Sequence, residues 1–436
     1  MSSKQSDRRR FLKESAALAG LAVGAIPYAN AQSSATPTNE RRPDEWYDYG
    51  VRSRFVKSVR IGTNGRFGKD PRPGVPRDYG FRSPLQDTFG IITPAPLHFI
   101  INHGYDPPDI DPREHRLMIH GLVDRPLIFT LEELQRLPSV SRIHFVECAG
   151  NATAGGQGFM PGYVRTQPEA TVQQIFGLTS CSEWTGVQLS VLLQEAGLKK
   201  EGKWIVAEGD EQGRHTKSIP IEKALDDVLV VYAQNGEPIR PEQGYPLRLL
   251  VPGWEGINNV KWLRRVKVMD KPSMGKREIT AYTSLRLDGK ARWFQFELGP
   301  KSVITRPSGQ QRLPGPGFYE ITGLAWSGGG TIRRVEVSVD NGRTWKDAQL
   351  QEPIHRKAHT RFRLPWNWNG EEAVLLSRCT DDQGWVQPSV AEIGKVLGAE
   401  LSLAFFRERP DAITHFNAIQ PWKVNRDGSV QNAIFA

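Results

Sequence analysis

Val335, Val337 and Val339 alternate with polar residues and run into Asp340-Asn341-Gly342, and Trp345 follows. Period-two hydrophobicity stopped by Asn-Gly demands a β-hairpin, because so tight a turn needs residues that accept positive φ. Glu320 to Trp326, Phe362 to Trp366 and Ala373 to Arg378 add strands at the spacing of a two-sheet sandwich. Residues 297–405 are therefore expected to form an immunoglobulin-like β-sandwich without the disulfide of antibody domains. Gly328-Gly329-Gly330 joins two of its β segments with no helix behind it, so it reads as a turn and not as a phosphate loop.

The pattern is different upstream. Arg116 to Gly121, Ile143 to Glu147, Trp204 to Ala207, Val228 to Tyr232 and Leu247 to Val251 read as strands. Thr130-Leu131-Glu132-Glu133 is a capping box that opens a short helix stopped by Pro138, and Ser190 to Ala196 is a second short helix with Gly197 just past its end. The mixture predicts an irregular α+β domain over residues 91–296. Residues 32–90, rich in Pro, Gly, Arg and Ser, read as an extended N-terminal arm, and residues 406–436 as a C-terminal tail.

The first residues are a transport address. Arg8, Arg9, Arg10, Phe11, Leu12 and Lys13 match a twin-arginine signal, followed by an Ala/Gly-rich apolar run to Ile26 and the small-x-small pattern Ala29-Asn30-Ala31. Residues 1–31 are expected to be removed and the remainder delivered to the periplasm. A chain exported by this route folds around its cofactor before crossing the membrane, so a cofactor is expected. The leader carries five Lys/Arg and two Asp/Glu, so its loss lowers the formal charge from +9 to +6. That excess suits an anionic substrate or an acidic partner protein; no motif or basic tract points to nucleic acid, and no other segment is apolar enough for a membrane span.

Cys148, Cys181 and Cys379 are the only cysteines. Three is an odd number, so no disulfide framework is expected, and neither a haem-attachment nor a paired Cys-x-x-Cys pattern occurs. Any electrons produced must leave to a separate carrier. Cys148 stands apart, since Phe145-Val146-Glu147 leads into it as a strand and Ala149-Gly150-Asn151 turns the chain away. A lone thiolate at the end of a rigid element can hold a metal whose other ligands come from a cofactor. A buried structural cysteine is the plainer account, and it is the one preferred for Cys379 in the sandwich and for Cys181.

Cys148-Ala149-Gly150-Asn151, Trp184-x-Gly186-Val187-x-Leu189, Asn235-Gly236-Glu237-Pro238, Gly244-Tyr245-Pro246-x-Arg248, Val251-Pro252-Gly253 and Val260-Lys261-Trp262-Leu263 occur in an order that resembles the sulfite oxidase family of molybdenum enzymes. Ala325-Trp326-Ser327-Gly328-Gly329 and Asp340-x-Gly342-x-Thr344-Trp345 resemble that family's dimerisation domain. Leu97-His98-Phe99, Val140-Ser141-Arg142 and Trp422-Lys423-Val424 are most similar to the branch that dehydrogenates sulfane sulfur in thiosulfate-oxidising bacteria. The resemblance implies a mixed α/β molybdopterin-binding domain followed by the dimerisation sandwich. It also implies an oxo-molybdenum centre on one molybdopterin, with Cys148 as its protein ligand and no haem in this chain. Asn102, His103, Arg248 and Lys261 match cofactor contacts of the family, and Tyr282, twenty residues after Trp262, its active-site tyrosine. Arg248 and Lys261 fall in stretches read as apolar strands, where an unpaired charge would be costly. His215 is a weaker candidate for a cofactor contact, and His98 has no family role.

Departures from the family pattern bear on the substrate. Ile101, Ala152 and Thr153 stand where sulfite oxidases carry arginines, and Gln243 replaces a cofactor-contacting histidine. Losing charge-assisted hydrogen bonds of roughly 1.5 to 3 kcal/mol each disfavours a small free anion. Oxidation of a carrier-bound persulfide by oxygen-atom transfer is the expected reaction, with Gly155, Gly156 and Gly158 leaving room for the carrier's arm and a c-type cytochrome taking the electrons. A homodimer, or a heterotetramer with the cytochrome, is the expected assembly. A dehydrogenase of free sulfite is the alternative, a methionine sulfoxide reductase a third, and a non-catalytic scaffold for sulfur-carrier proteins the reading of another class.

Overall fold

The computed structural model describes residues 49–63, 80–102, 106–152, 167–279, 282–285, 288–293, 296–402, 405 and 415–434. Two compact units result, one reaching to Lys57 and the other from Ser58 onward. In the first, only residues 49–57 are described, a largely exposed stretch with one turn in which Val56 N donates to Ser53 O at 2.9 Å. The leader sequence lies outside the described residues. Among those described, no helix is long and apolar enough to cross a membrane.

The first half of the second unit holds two five-stranded sheets. In one, Ser139–Glu147 pairs antiparallel with Thr179–Gln188, which pairs in turn with Leu229–Gln234, and Glu237–Pro238 and Arg248–Leu250 join the last of these. In the other, the order is Leu127–Phe129, Leu117–Gly121, Leu263–Met269, Trp204–Gly209 and Thr216–Pro220, with only the second and third strands parallel. Leu117, Ile119, Ile205, Val230, Leu249 and Val266 meet in one buried core. The helix Leu189–Ala196 adds Leu189, Leu192, Leu193 and Ala196 to it, the i, i+3, i+4, i+7 face of an amphipathic helix.

Local signals act where the sequence places them. Thr130 and Glu133 form the reciprocal capping box of Leu131–Arg136. Gly197 ends Leu189–Ala196 in the left-handed region at φ +75°, and a Cβ there would lie 2.6 Å from Asp124 Oδ2, so glycine is required twice over. Part of the Pro/Gly-rich arm is also ordered. Ile61–Gly62 and Gly80–Arg82 form a three-stranded sheet with Ile100–Ile101.

The second half is the β-sandwich. One sheet is Lys301–Arg306, Gly317–Trp326, Thr360–Trp368 and Gln349–Leu350; the other is Lys346–Asp347, Ile332–Ser338, Ala373–Asp381, Trp422–Val424 and Val430–Asn432. Ile321, Trp326, Val335, Val337, Phe362, Leu375 and Trp422 fill the space between. Asn341 and Gly342 turn the chain at φ +60° and +82°, as the Asn-Gly pair predicts. The segment read as a tail supplies the last two strands. Each is three residues long; Trp422–Val424 pairs with Ala373–Leu375, far upstream, and Val430–Asn432 folds back on Trp422–Val424.

The halves share a tight seam. Leu298 N donates to Gly253 O and Gly328 N to Leu298 O, at 3.1 and 2.8 Å. A Cβ on Gly328 would sit 2.1 Å from Gly253 O, so the two backbones meet with no room for a side chain. Lys357 Nζ reaches Asp227 Oδ2 at 2.6 Å across the same boundary.

Candidate active site

The strand Ser139–Glu147 buries Val146 against Phe99, Ile101, Leu178 and Trp184, and Cys148 follows at its end, packed on the same cluster. Cys148 N donates to Leu178 O at 2.9 Å, and Asn151 N closes the turn onto Cys148 O at 2.8 Å. The Asn151 amide ties both flanks, accepting from Leu178 N at 3.0 Å and donating to Glu147 Oε1 at 2.9 Å. Ala152 then adopts φ +61°, with its N–H on Ile175 O at 3.1 Å. The Cys-Ala-Gly-Asn motif is thus a hydrogen-bonded turn at a strand end.

Cys148 opens into a cleft of about 70 Å³. Phe99, Ile101 and Val146 make an apolar wall beside it, and Asn102, Glu211, His215, Gln243, Arg248, Gly256, Ile257, Asn259, Lys261, Trp262 and Tyr282 complete the lining. The structure brings Asn102, Cys148, Arg248, Lys261 and Tyr282 into one cavity, and His215 with them. His103, Thr153, Gly155, Gly156 and Gly158 lie outside the described residues.

Arg248 is a buried cation without a carboxylate partner among the described residues. Its Nη1 donates to Gln243 O and Gln243 Oε1, both at 3.1 Å, its Nε is buried with no acceptor among the described residues, and its guanidinium lies 5.2 Å from the Trp184 ring. Burial lowers its pKa to about 9. Lys261 Nζ donates to Ile101 O at 3.1 Å, to Glu242 O at 2.9 Å and to Asn102 Oδ1. Desolvation, and Arg248 after it, press its pKa down to about 7. Lys261 sits in the turn before Leu263–Met269 and not in a strand, with Trp262 beside it at φ +52°. The apolar residues that suggested a strand there begin one turn early.

Gln243 Nε2 donates to Phe99 O at 2.8 Å, so this side chain links the apolar wall to Arg248. His215 Nε2 lies 3.0 Å from Ile257 O, and its N–H reaches Glu211 Oε1 at 2.7 Å. Lys217 Nζ stands 5.2 Å from the centre of the Tyr282 ring. His98 is fully buried, stacked on Phe99 and edge-on to Trp184, and held well below its ordinary pKa by burial. Cys181 lies in the sandwich-side core, where its sulfur accepts from His359 N at 3.5 Å and burial pushes the thiol up to about 12. Cys379 is buried in the sandwich with its thiol also pushed up.

The cavity's donor set fits an anionic organic group beside the Cys148 sulfur. The buried Arg248 and the half-buried Lys261 form no ion pair among the described residues, and the orphaned Arg248 Nε is the donor such a group would satisfy. Among the described residues no three His, Cys, Asp or Glu side chains cluster as a metal cage. No motif distinguishes Glu211 and Asn259, and Trp262, though part of the Val260–Leu263 motif, carried no expected site role.

Comparison with known proteins follows this division. Residues 103–277 match the oxidoreductase molybdopterin binding domain and residues 292–409 the Mo-co oxidoreductase dimerisation domain. The crystal structure of the sulfane dehydrogenase SoxCD from Paracoccus pantotrophus superimposes with a TM-score of 0.77 at 37% identity, covering 94% of this chain and 98% of that one. Nitrate reductase [NADH] 2 of Phaseolus vulgaris is 30% identical over 80% of this chain and 40% of its own length. That of Volvox carteri is 33% identical over 69% of this chain and 38% of its own length. The chain thus spans about two fifths of the nitrate reductases it matches.

Proposed function

The chain belongs to the sulfite oxidase family of molybdopterin oxidoreductases, and from that premise we propose that it oxidises sulfane sulfur presented as a persulfide on a carrier protein. Electrons leave to a c-type cytochrome, and the reaction takes place in the periplasm, export being supported by Arg8 to Lys13. Its second domain is of the dimerisation class, so the chain is built to assemble.

The molybdenum–molybdopterin group supplies two-electron oxygen-atom transfer when bound. Cys148 is the residue that would hold the metal, and Arg248, Lys261, Asn102 and His103 the pterin and its phosphate. Tyr282 lines the same cavity, and its phenol can donate a hydrogen bond or relay a proton there. Phe99, Ile101 and Val146 give the Cys148 side of the cavity an apolar wall.

The observation that carries the substrate assignment is the missing positive charge. Ile101 lines the cleft and is 8% exposed, and Ala152 is 3% exposed in the core behind the turn. Neither position offers the cation that would hold a free sulfite dianion. A neutral or singly charged sulfane group loses less by this substitution. The likeness to SoxCD supports the same substrate class.

The test is cytochrome reduction by the purified, loaded protein with free sulfite and with a persulfidated carrier protein, alongside metal analysis of wild type and Cys148→Ser. About one molybdenum per chain, activity on the persulfide and loss of turnover in Cys148→Ser are expected. Activity confined to sulfite would reassign the substrate, and absence of molybdenum would leave a scaffold.

A further inference from the structure

Glu147, the residue before Cys148, is fully buried, and three donors converge on its carboxylate. Trp326 Nε1 donates to Oε2 at 2.7 Å, Asn151 Nδ2 to Oε1 at 2.9 Å, and Lys301 Nζ to Oε1 as well. Asn151 is local. Lys301 and Trp326 belong to the sandwich, lie directly opposite each other on the paired strands Lys301–Arg306 and Gly317–Trp326, and are themselves fully buried. The second domain therefore presents a ready-made Lys/Trp pair to the first.

We propose that Lys301 and Trp326 are positioning residues for Cys148, clamping the Glu147 carboxylate and so fixing the direction of the thiol. The proposal rests on the reading that Cys148 binds the metal. A buried ion pair is an expensive way to glue two domains, since apolar residues of similar volume pack as well. What it adds is direction. Three donors with fixed vectors hold both carboxylate oxygens, and one peptide bond separates that anchor from the thiol-bearing residue. The same carboxylate ties the start of the Cys148–Asn151 turn to its end through Asn151.

The opposite side of the turn is held too. A Cβ on Gly256 would sit 2.7 Å from Glu147 O and 3.3 Å from Cys148 Cα, so the 254–256 backbone presses on the ligand loop. That backbone continues from Gly253, which meets Gly328 of the sandwich. Both supports of the turn thus lead back to the end of the strand Gly317–Trp326 and the residues just after it.

Two variants test this. Trp326→Phe keeps an aromatic ring, though a smaller one, and removes one donor; the double variant Glu147→Gln with Lys301→Met removes both charges of the pair together. Each is compared with wild type and Cys148→Ser for the thiolate-to-metal charge-transfer absorption of the loaded protein, and in the cofactor-free protein for hydrogen exchange of residues 145–152. Both variants are expected to keep the wild-type circular dichroism while the absorption maximum shifts, exchange at 145–152 quickens, and kcat falls between about 10- and 100-fold with KM unchanged.

Unchanged absorption and exchange in Trp326→Phe would overturn the clamp, and that variant alone decides should the double variant not fold. The Cys148→Ser arm separates the two levels. Loss of the band there with no shift in Trp326→Phe rejects the clamp but keeps the metal assignment, whereas a band that survives in Cys148→Ser rejects both.

Discussion

Replacing Arg248 by methionine should move stability in opposite directions with and without the cofactor. In the cofactor-free protein the guanidinium is 4% exposed, and its pKa is driven from 12.5 to about 9 by desolvation. That displacement corresponds to roughly 4 to 5 kcal/mol spent on keeping the group charged. Methionine releases the cost but strips Gln243 O and Oε1 of a donor, about 1 kcal/mol each. It also gives up the contact with Trp184, worth about 1 kcal/mol. A net gain on the order of 1 to 2 kcal/mol remains, which for a folded unit of this size raises Tm by about 1 to 3 °C. In the loaded protein the same change removes a charge-assisted hydrogen bond worth about 1.5 to 3 kcal/mol, so the cofactor should be retained roughly 10- to 100-fold less well. Thermal denaturation of both forms, with molybdenum and pterin content measured after dialysis, reads the two signs. A cofactor-free Arg248→Met protein that loses as much stability as the loaded one would make Arg248 an ordinary structural cation and refute the argument.

Lys261 predicts a pH dependence. Between about pH 7 and its ordinary value of 10.5 the unfolded chain carries a proton on this amine that the folded chain lacks, so the cofactor-free protein gains stability as pH rises through that window. Lys261→Met should flatten this slope in Tm measured at pH 7 and pH 9; an equal slope in both proteins would show that the amine is not desolvated. At the domain seam, Gly328→Ala drives a Cβ to within 2.1 Å of Gly253 O and 2.7 Å of Leu298 N. Overpacking of this kind costs about 1 to 3 kcal/mol, and differential scanning calorimetry should show Tm lowered by about 1 to 4 °C.

Much of this architecture is legible in the chain because its signals are local. The capping box at Thr130, the glycine after Ala196 and the Asn341-Gly342 turn each act within four residues, and the structure places each as the spacing predicts. Cys148, Arg248, Lys261 and Tyr282 were found through motif resemblance, and they share one cavity. What escaped is non-local. Lys301 and Trp326 lie 154 and 179 residues from the carboxylate they hold, and nothing in Lys301-Ser302-Val303 distinguishes that lysine from a solvated one. Lys261 looked like part of a strand because Val260, Trp262 and Leu263 are apolar; the positive φ of Trp262 puts it in a turn instead.

The strand Val430–Asn432 does more than widen a sheet. Asn432 donates its N–H to Pro168 O at 2.9 Å and its Nδ2 to Gln167 O at 3.1 Å, while Gln310 Nε2 holds Glu169 O at 2.8 Å. Gln167 to Ala170 is where the described chain resumes after the turn that bears the thiol. The far end of the polypeptide is therefore a mooring for the return limb of the catalytic segment. Trimming the final dozen residues, or fusing a bulky partner there, would slacken a region that in sequence lies more than two hundred and fifty positions away.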